Sequence, residues 1–394
     1  MKMLRGLFTS WLLLSAVAAH AQLSRYSLDF EVSPTNFVDS IAIEWQGRQV
    51  YVPVCIEGKN YRFLLDTGSG QAVVYQDRPI SGCQSAGHIV AVDAIGRRDT
   101  VEMVTLPPLT LGTVTFSGCQ ATVQKRVVKR SNIDGIIGFD IVAKGLNTKI
   151  DVKNRLLILS DRKNFFDQEE GFETRYKLNY HVPYVDLNPF GRFHEPTLFD
   201  TGSRQFYSIN RESFDKGTRG ATTIMGVTVN EKTTGRHAIG NYGAEPDGEV
   251  LFLTLDAMKW GDFMFSDVSV ITTQGGSHLG AALLDYGAVV FNPKRRRVRF
   301  EPYSGSGFCS VNNASMDIAF ISENNRPVAG VVRMGSQPYE LGFRSGDMII
   351  AIDNKPVTSF VEFTNWGFLR GREYVFTVKG RDGSLREVRW VRVP

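Results

Sequence analysis

The residues of this chain best suited to chemistry are two aspartates in matching surroundings. Residues 66–69 and residues 200–203 both read Asp-Thr-Gly-Ser, and an apolar run precedes each copy. One such motif could be a turn in which the aspartate caps its own backbone. Two copies indicate a duplicated unit, and duplication can bring two equivalent carboxylates, Asp66 and Asp200, face to face.

Paired carboxylates suit the hydrolysis of peptide bonds. Two carboxyl groups in contact cannot both ionise cheaply, so the pair holds one proton between its members. The ionised member can deprotonate a water molecule while the protonated member donates to the scissile carbonyl. Glycine lets the backbone approach a carboxylate closely, and neighbouring hydroxyls can orient it. The predicted supporting residues are Thr67, Gly68, Ser69, Thr201, Gly202 and Ser203.

The repeat continues on both sides of the aspartates. A Val-Pro pair precedes each motif in a predicted strand, at residues 52–53 and 182–183. A predicted hairpin containing Ala-Ile-Gly follows each motif, with Ala94, Ile95 and Gly96 in the first half and Ala238, Ile239 and Gly240 in the second. Each half then closes with an apolar residue and a glycine, namely Ile137 with Gly138 and Leu279 with Gly280. Asp285 looks like a third acidic motif, but in the repeat register it falls opposite Ala143, so we interpret it as unrelated to the site.

In this order the motifs resemble the aspartic proteases of the pepsin and retropepsin superfamily, over about residues 45–303. The resemblance implies a mainly β fold in which two duplicated retropepsin-like β-barrel lobes form a pseudo-dimer, with Asp66 and Asp200 as the catalytic pair. It also implies flaps near residues 93–98 and 238–242. Pepsin-type flaps carry a tyrosine, whereas residues 89–103 contain none. The matching glycine hairpins are therefore more similar to the paired flaps of retropepsins.

The C-terminal part resembles a small PDZ-like α+β domain. It follows a Ser-Gly-Ser-Gly linker at residues 304–307, and the resemblance rests on residues 335–336, 341–343 and 345–349. PDZ domains capture peptide C-termini by strand addition, which implies such a peptide as a ligand. The peptide-binding stretch would be Ile318, Ala319, Phe320 and Ile321, where the glycines of the family are missing. The alternative is a domain that only packs against the protease lobes.

The first residues predict export. Residues 1–21 run from basic through apolar to small residues, the order of a signal peptide cleaved before Gln22. The apolar run is too short to span a bilayer, so we expect a periplasmic or secreted monomer without stable membrane insertion after cleavage. The predicted domains are then lobe 1 over residues 22–165, lobe 2 over residues 166–306 and the PDZ-like domain over residues 307–394.

Composition argues against several other classes of protein. The 45 basic residues nearly balance the 41 acidic ones, which is no nucleic-acid footprint. Neither C-x-x-C nor H-E-x-x-H occurs, so we expect no metal and no other cofactor. The four cysteines, Cys55, Cys83, Cys119 and Cys309, predict two disulfides in an exported chain. Three pairings are possible, and Cys83 with Cys119 is favoured because both flank the same predicted hairpin.

The sequence therefore predicts an exported aspartic endopeptidase that acts on a peptide or protein substrate. Two alternatives remain open. In one, the chain is a non-catalytic peptide-binding protein with a protease-derived cleft. In the other, Asp66 pairs with Asp66 of a second molecule, and Asp200 is dispensable.

Overall fold

The computed structural model describes residues 26–126, 132–219 and 226–391. The signal peptide predicted at residues 1–21 lies outside the described residues. Within them the chain is mainly β with a few short helices, which confirms the predicted fold class. None of the helices in these segments has the length and apolar character needed to cross a membrane.

The first half of the described chain forms one lobe. Its strands are rich in β-branched and aromatic residues, which suit a pleated, half-buried surface, and most side chains of Val50–Ile56 are buried. The elements of this lobe are β1 (Glu31–Ser33), β2 (Val38–Ala42), β3 (Glu44–Trp45), β4 (Val50–Ile56), β5 (Lys59–Leu65), β6 (Ala72–Tyr75), β7 (Gln84–Val92), β8 (Arg98–Thr105), β9 (Leu109–Leu111), β10 (Val114–Ser117), β11 (Gln120–Gln124), β12 (Gly135–Ile137), α1 (Asp140–Ala143), β13 (Asn147–Asp151) and β14 (Leu156–Ser160).

The second lobe follows in the same manner. Its elements are β15 (Phe172–Asn179), β16 (Val182–Leu187), β17 (Glu195–Asp200), β18 (Tyr207–Asn210), α2 (Arg211–Thr218), β19 (Val227–Gly235), β20 (Ile239–Gly240), β21 (Gly243–Ala244), β22 (Gly248–Leu255), β23 (Met258–Trp260), β24 (Phe263–Ser266), β25 (Val268–Thr273), β26 (His278–Gly280), a 3₁₀ helix (Ala281–Asp285), β27 (Gly287–Asn292), β28 (Arg297–Pro302) and β29 (Phe308–Ser310). Since β29 pairs with β24, residues 308–310 complete this lobe.

The two lobes repeat one strand arrangement. In the first, β12 lies between β5 and β6, parallel to β5 and antiparallel to β6. In the second, β26 lies in the same way between β17 and β18. The next strand outward is also equivalent, because β11 runs parallel to β6 and β25 runs parallel to β18. The duplication read from the motifs is therefore a duplication of topology.

A shared sheet joins the lobes. Its order runs β2-β14-β13-β27-β28-β15 and continues through β16 into the rest of the second lobe. The two halves meet at the antiparallel pair β13 and β27, where Thr148 lies opposite Phe291. One hydrophobic cluster runs through both lobes. Within it, Phe139 of the first lobe packs edge-to-face on Phe291 of the second with ring centroids 4.9 Å apart. The lobes thus share a continuous core below the site.

The C-terminal domain is a separate sheet with its own core. Phe343 and Phe376 are fully buried in that core, with ring centroids 5.5 Å apart. The elements are β30 (Ile318–Glu323), β31 (Arg326–Val332), α3 (Gln337–Glu340), β32 (Met348–Ile352), β33 (Lys355–Pro356), α4 (Phe360–Thr364), β34 (Glu373–Lys379) and β35 (Leu385–Val391).

The structure does not support the predicted disulfides. All four cysteines are free. Cys119 is buried within the core cluster, and Cys83 and Cys309 pack against the same cluster as small apolar side chains. Burial raises the pKa of the Cys119 thiol, which makes it a poor nucleophile. The favoured pairing of Cys83 with Cys119 is therefore replaced by two free thiols in one lobe.

Candidate active site

Each aspartate of the two motifs lies at the C-terminal end of a strand that pairs with a parallel neighbour, β5 with β12 and β17 with β26. β5 ends at Leu65, immediately before Asp66, and β17 ends at Asp200. The parallel neighbour places Ile137 beside Leu65 and Leu279 beside Phe199. The closing glycines follow, and both positions are crowded. A Cβ on Gly138 would lie 2.6 Å from the carbonyl carbon of Gln71, and one on Gly280 would lie 2.2 Å from Gln205 O.

Two threonines bind the aspartate loops to each other. The backbone N–H of Thr67 donates to Thr201 Oγ1, and that of Thr201 donates to Thr67 Oγ1, both at 3.0 Å. Thr67 Oγ1 in turn donates to Phe199 O at 2.6 Å, and Thr201 Oγ1 donates to Leu65 O at 2.7 Å. Both threonines are buried. Four hydrogen bonds related by the pseudo-two-fold axis therefore fix one loop against the other.

The carboxylates lie across this junction. Gly68 N donates to Asp66 Oδ1 at 2.9 Å, and Gly202 N donates to Asp200 Oδ1 at 2.8 Å. A Cβ on Gly68 would lie 2.6 Å from Asp200 Oδ1, and one on Gly202 would lie 2.5 Å from Asp66 Oδ2. Each carboxylate thus packs against the glycine of the opposite loop, and only glycine leaves room for it. The structure brings the two predicted aspartates into one site.

The predicted serines support the loops in different ways. Ser69 Oγ donates to Gln71 O at 2.7 Å and so closes its own turn. Ser203 N donates to Asp200 Oδ1 at 3.2 Å, and Ser203 O accepts from Ala281 N at 2.8 Å. The hydroxyls of Thr67, Thr201 and Ser69 therefore donate to backbone carbonyls. By contrast, Asp285 lies at the surface and pairs with Arg48 at 2.9 Å.

The two predicted Ala-Ile-Gly hairpins form the tips of two longer hairpins, which we call the first and second flap, and the two tips are in contact. The first flap is the hairpin of β7 and β8, and its turn is capped by Asp93, whose Oδ1 accepts from Arg97 N at 2.8 Å. The second flap is the chain from β19 to β22, with β20 and β21 at its tip. Asp93 Oδ2 accepts from Tyr242 N of the second flap at 3.0 Å, and Gly240 lies against the same carboxylate. One hydrogen bond therefore latches the two tips together.

Asp93 and Tyr242 lie within the predicted flap ranges, whereas no motif marked Glu245. Glu245 is buried at the base of the second flap and accepts from His237 N at 2.8 Å and Ala238 N at 2.9 Å. It also accepts from Thr273 Oγ1 at 2.6 Å, which fixes the flap to the end of β25. Burial acts to raise the pKa of Glu245, but His237 and these donors outweigh it and the pKa is lowered. An ionised carboxylate therefore anchors this flap.

The four residues predicted to bind a peptide form most of β30. Ala319 and Ile321 point away from the core of the C-terminal domain, and their side chains pack on the second lobe. Phe320 points the other way and packs on Phe363 of α4, with ring centroids 4.8 Å apart. Ile318 packs against the same domain core. The side chains of all four residues therefore take part in packing within the protein.

A buried carboxylate lies directly behind the Asp66 loop. Asp140 begins α1 two positions after Gly138, and its Oδ2 accepts from Tyr26 OH at 2.7 Å. Tyr26 also contacts His181 of the second lobe, with ring centroids 5.3 Å apart. Burial raises the pKa of Asp140 to about 6. A comparison of the two halves could have marked this residue, because the equivalent position in the second half is Ala282.

Asp140→Asn is expected to change how stability depends on pH. The folded state binds the Asp140 proton more tightly than the unfolded chain, whose ordinary value is 3.8. The contribution of protonated Asp140 to the free energy of unfolding is fully present below pH 4 and is lost as the pH rises through about 6. Relative to wild type, the asparagine variant should therefore gain roughly 2–3 kcal/mol of unfolding free energy between pH 4 and pH 7. Urea unfolding at both pH values measures this, and an equal difference at the two would contradict it.

Comparisons with known proteins agree with part of this picture. Residues 52–141, which include Asp66 and Gly138, match the family described as aspartyl protease. No curated protein matches the chain. Among solved structures the chain is similar to Basic 7S globulin from soybean, with 12% identity and a TM-score of 0.41 over 68% of this chain and 95% of that one. It is also similar to the aspartic proteinase from Irpex lacteus, with 14% identity and a TM-score of 0.43 over 68% of this chain and 97% of that one.

Proposed function

We propose that this chain is an aspartic endopeptidase that hydrolyses peptide bonds with a water molecule activated between Asp66 and Asp200. The observation that carries the proposal is the reciprocal packing of each carboxylate against the glycine of the opposite loop. We infer that two carboxyls held in this way share a proton, because a second negative charge beside the first is costly. The match of residues 52–141 to the aspartyl protease family supports the same assignment.

The reaction needs both aspartates in different protonation states. The ionised carboxylate takes a proton from water, whose oxygen attacks the peptide carbonyl carbon, while the protonated carboxyl donates to the carbonyl oxygen. Collapse of the tetrahedral intermediate transfers a proton to the leaving nitrogen and breaks the C–N bond. The two threonines act as positioning residues, since they hold the loops but donate to backbone oxygens.

The substrate that fits this site is an extended peptide segment beneath the flaps. Extended peptides bind next to strands through backbone hydrogen bonds, and both flaps are hairpins. The latch between Asp93 and Tyr242 must open for such a chain to enter. We further propose that the protein works as an exported monomer in the periplasm or outside the cell, and the signal-like order of residues 1–21 supports export. Peptide or partner binding by the C-terminal domain is part of the same proposal.

A digest of a mixed peptide pool tests the proposal. Purified mature chain, incubated at several pH values from 3 to 8, should cleave peptides internally, and pepstatin should stop the cleavage. The matched control for variants of Asp66 and Asp200 is Asp285→Asn, which removes another aspartate from the lobe that carries Asp200 and should keep full activity. If wild type binds peptides without producing any fragment, the chain is the non-catalytic peptide-binding protein and the proposal fails.

A further inference from the structure

The second flap is packed against the C-terminal domain. Side chains on β30 and β31 alternate between two apolar surfaces, one facing the core of that domain and the other facing the second lobe. The residues facing the lobe are Ala319, Ile321, Val328 and Val331. Their partners are Val250 and Phe252 of β22, Ile271 of β25 and Ala244 of β21. Two of these partner strands, β21 and β22, belong to the second flap.

The backbones of the flap and the domain also touch. Arg236 N donates to Gly330 O at 3.0 Å. A Cβ on Gly235 would lie 2.5 Å from Gly330 O, and a Cβ on Gly330 would lie 2.3 Å from Arg236 O. Two glycines at one crossing therefore let β31 and the end of β19 approach to hydrogen-bonding distance, which larger residues would prevent.

Polar contacts surround this crossing. Arg236 Nη2 lies 2.6 Å from Glu323 Oε2 at the end of β30. On the other side, Met334 N donates to Glu231 Oε1 of β19 at 2.8 Å. At the tip of the flap, Ile239 packs against the core cluster of the domain. The flap is thus held along its length by apolar packing and at both sides by polar bonds.

The first flap is supported by fewer contacts outside its own lobe than the second flap. Its strands pair with each other, and β8 also pairs with β11 of its own lobe. Val90 and Val92 on β7 remain 41% and 38% exposed. Its tip is joined to the second flap by the bond from Tyr242 N to Asp93. The two flaps, equivalent in sequence, are therefore unequal in support.

We propose that the C-terminal domain is a fixed support for the second flap, so that substrate reaches Asp66 and Asp200 by movement of the first flap. The inference rests on the proposed protease function for its catalytic consequence, although the support itself is a property of the fold. Loss of the support should let the second flap move in addition to the first, which weakens substrate binding and raises KM more than it lowers kcat.

Charge placed in the interface tests the proposal. Ala319→Asp puts a carboxylate against Val250 and Phe252, while Leu385→Asp makes a matched change at an exposed position of the same domain. The readout is amide hydrogen exchange of the full chain, resolved for β7–β8, β19–β22 and β34–β35. With Ala319→Asp we expect exchange in β19–β22 to accelerate at least tenfold and KM to rise severalfold. Leu385→Asp should change neither.

A milder variant covers the case in which the charge unfolds the C-terminal domain. Gly330→Ala adds one methyl group at the crossing, and protection of β34–β35 reports whether the domain remains folded. A folded domain with unchanged exchange in β19–β22 would overturn the proposal, and so would acceleration of β7–β8 by the same factor. If exchange in β19–β22 rises but no variant or wild type cleaves peptides, the support stands and only the protease function fails.

Discussion

Asparagine in place of either Asp66 or Asp200 is expected to lower kcat for peptide cleavage by roughly a thousandfold or more, with KM nearly unchanged. Asparagine keeps the shape of the side chain and the acceptor for the glycine N–H, but it can neither take a proton from water nor share one. Since the lost interaction belongs to the transition state, the effect falls on kcat. Steady-state kinetics on one peptide from the digest measure both constants.

The Asp200 variant is the more informative of the two. If Asp66 worked with Asp66 of a second molecule, Asp200→Asn would keep its activity, and activity would depend on protein concentration. Asp285→Asn is the control, because its partner Arg48 lies at the surface, and it should retain wild-type kcat. Substantial cleavage by Asp200→Asn would refute the single-chain site.

Thr67→Val is expected to cost roughly 2–5 kcal/mol of unfolding free energy. The valine keeps the shape of threonine but leaves Thr201 N without its acceptor and Phe199 O without its donor, both in a buried position. Thr201→Val should have a similar effect, since its bonds are related by the pseudo-two-fold axis. Urea unfolding followed by tryptophan fluorescence measures the loss, and kcat should fall as the loops separate.

Serine at the same positions separates the hydroxyl from the methyl group. Thr67→Ser keeps both hydrogen bonds and should lose only about 1 kcal/mol through the missing methyl group. Equal destabilisation by Val and Ser would mean that packing, and not the crossed hydrogen bonds, holds the loops. That result would remove the physical basis for the two loops acting as one unit.

Duplication explains why the site could be predicted from the sequence. Asp66 and Asp200, with their glycines and closing residues, lie in the same order in both halves, so an equivalent fold of each half brings them to equivalent places. The turn at residues 93–97 and the hairpin at residues 239–244 were likewise marked by their glycines. Local signals repeated at matching positions were sufficient for these features.

Contacts that occur in only one half could not be predicted in this way. The missing acidic counterpart in the second half marks Asp140 as different, but its contact with Tyr26 was not predictable, because Tyr26 lies far away in sequence. Glu245 and the crossing of Gly235 with Gly330 depend on how the second flap packs, which no local pattern encodes. The packing of Ala319 and Ile321 on the second lobe was not predictable either, because an alternating apolar strand does not reveal what covers its outer face.

The most direct test of the central claim is the activity of the double variant Asp66→Asn/Asp200→Asn beside its two single variants. If the carboxylates work only as a pair that shares a proton, either substitution removes the whole unit, and kcat/KM of the double variant should equal that of the singles within a few-fold. If the two losses instead multiply, so that the double variant is slower by the product of the single effects, the aspartates act independently and the proposed paired mechanism is wrong.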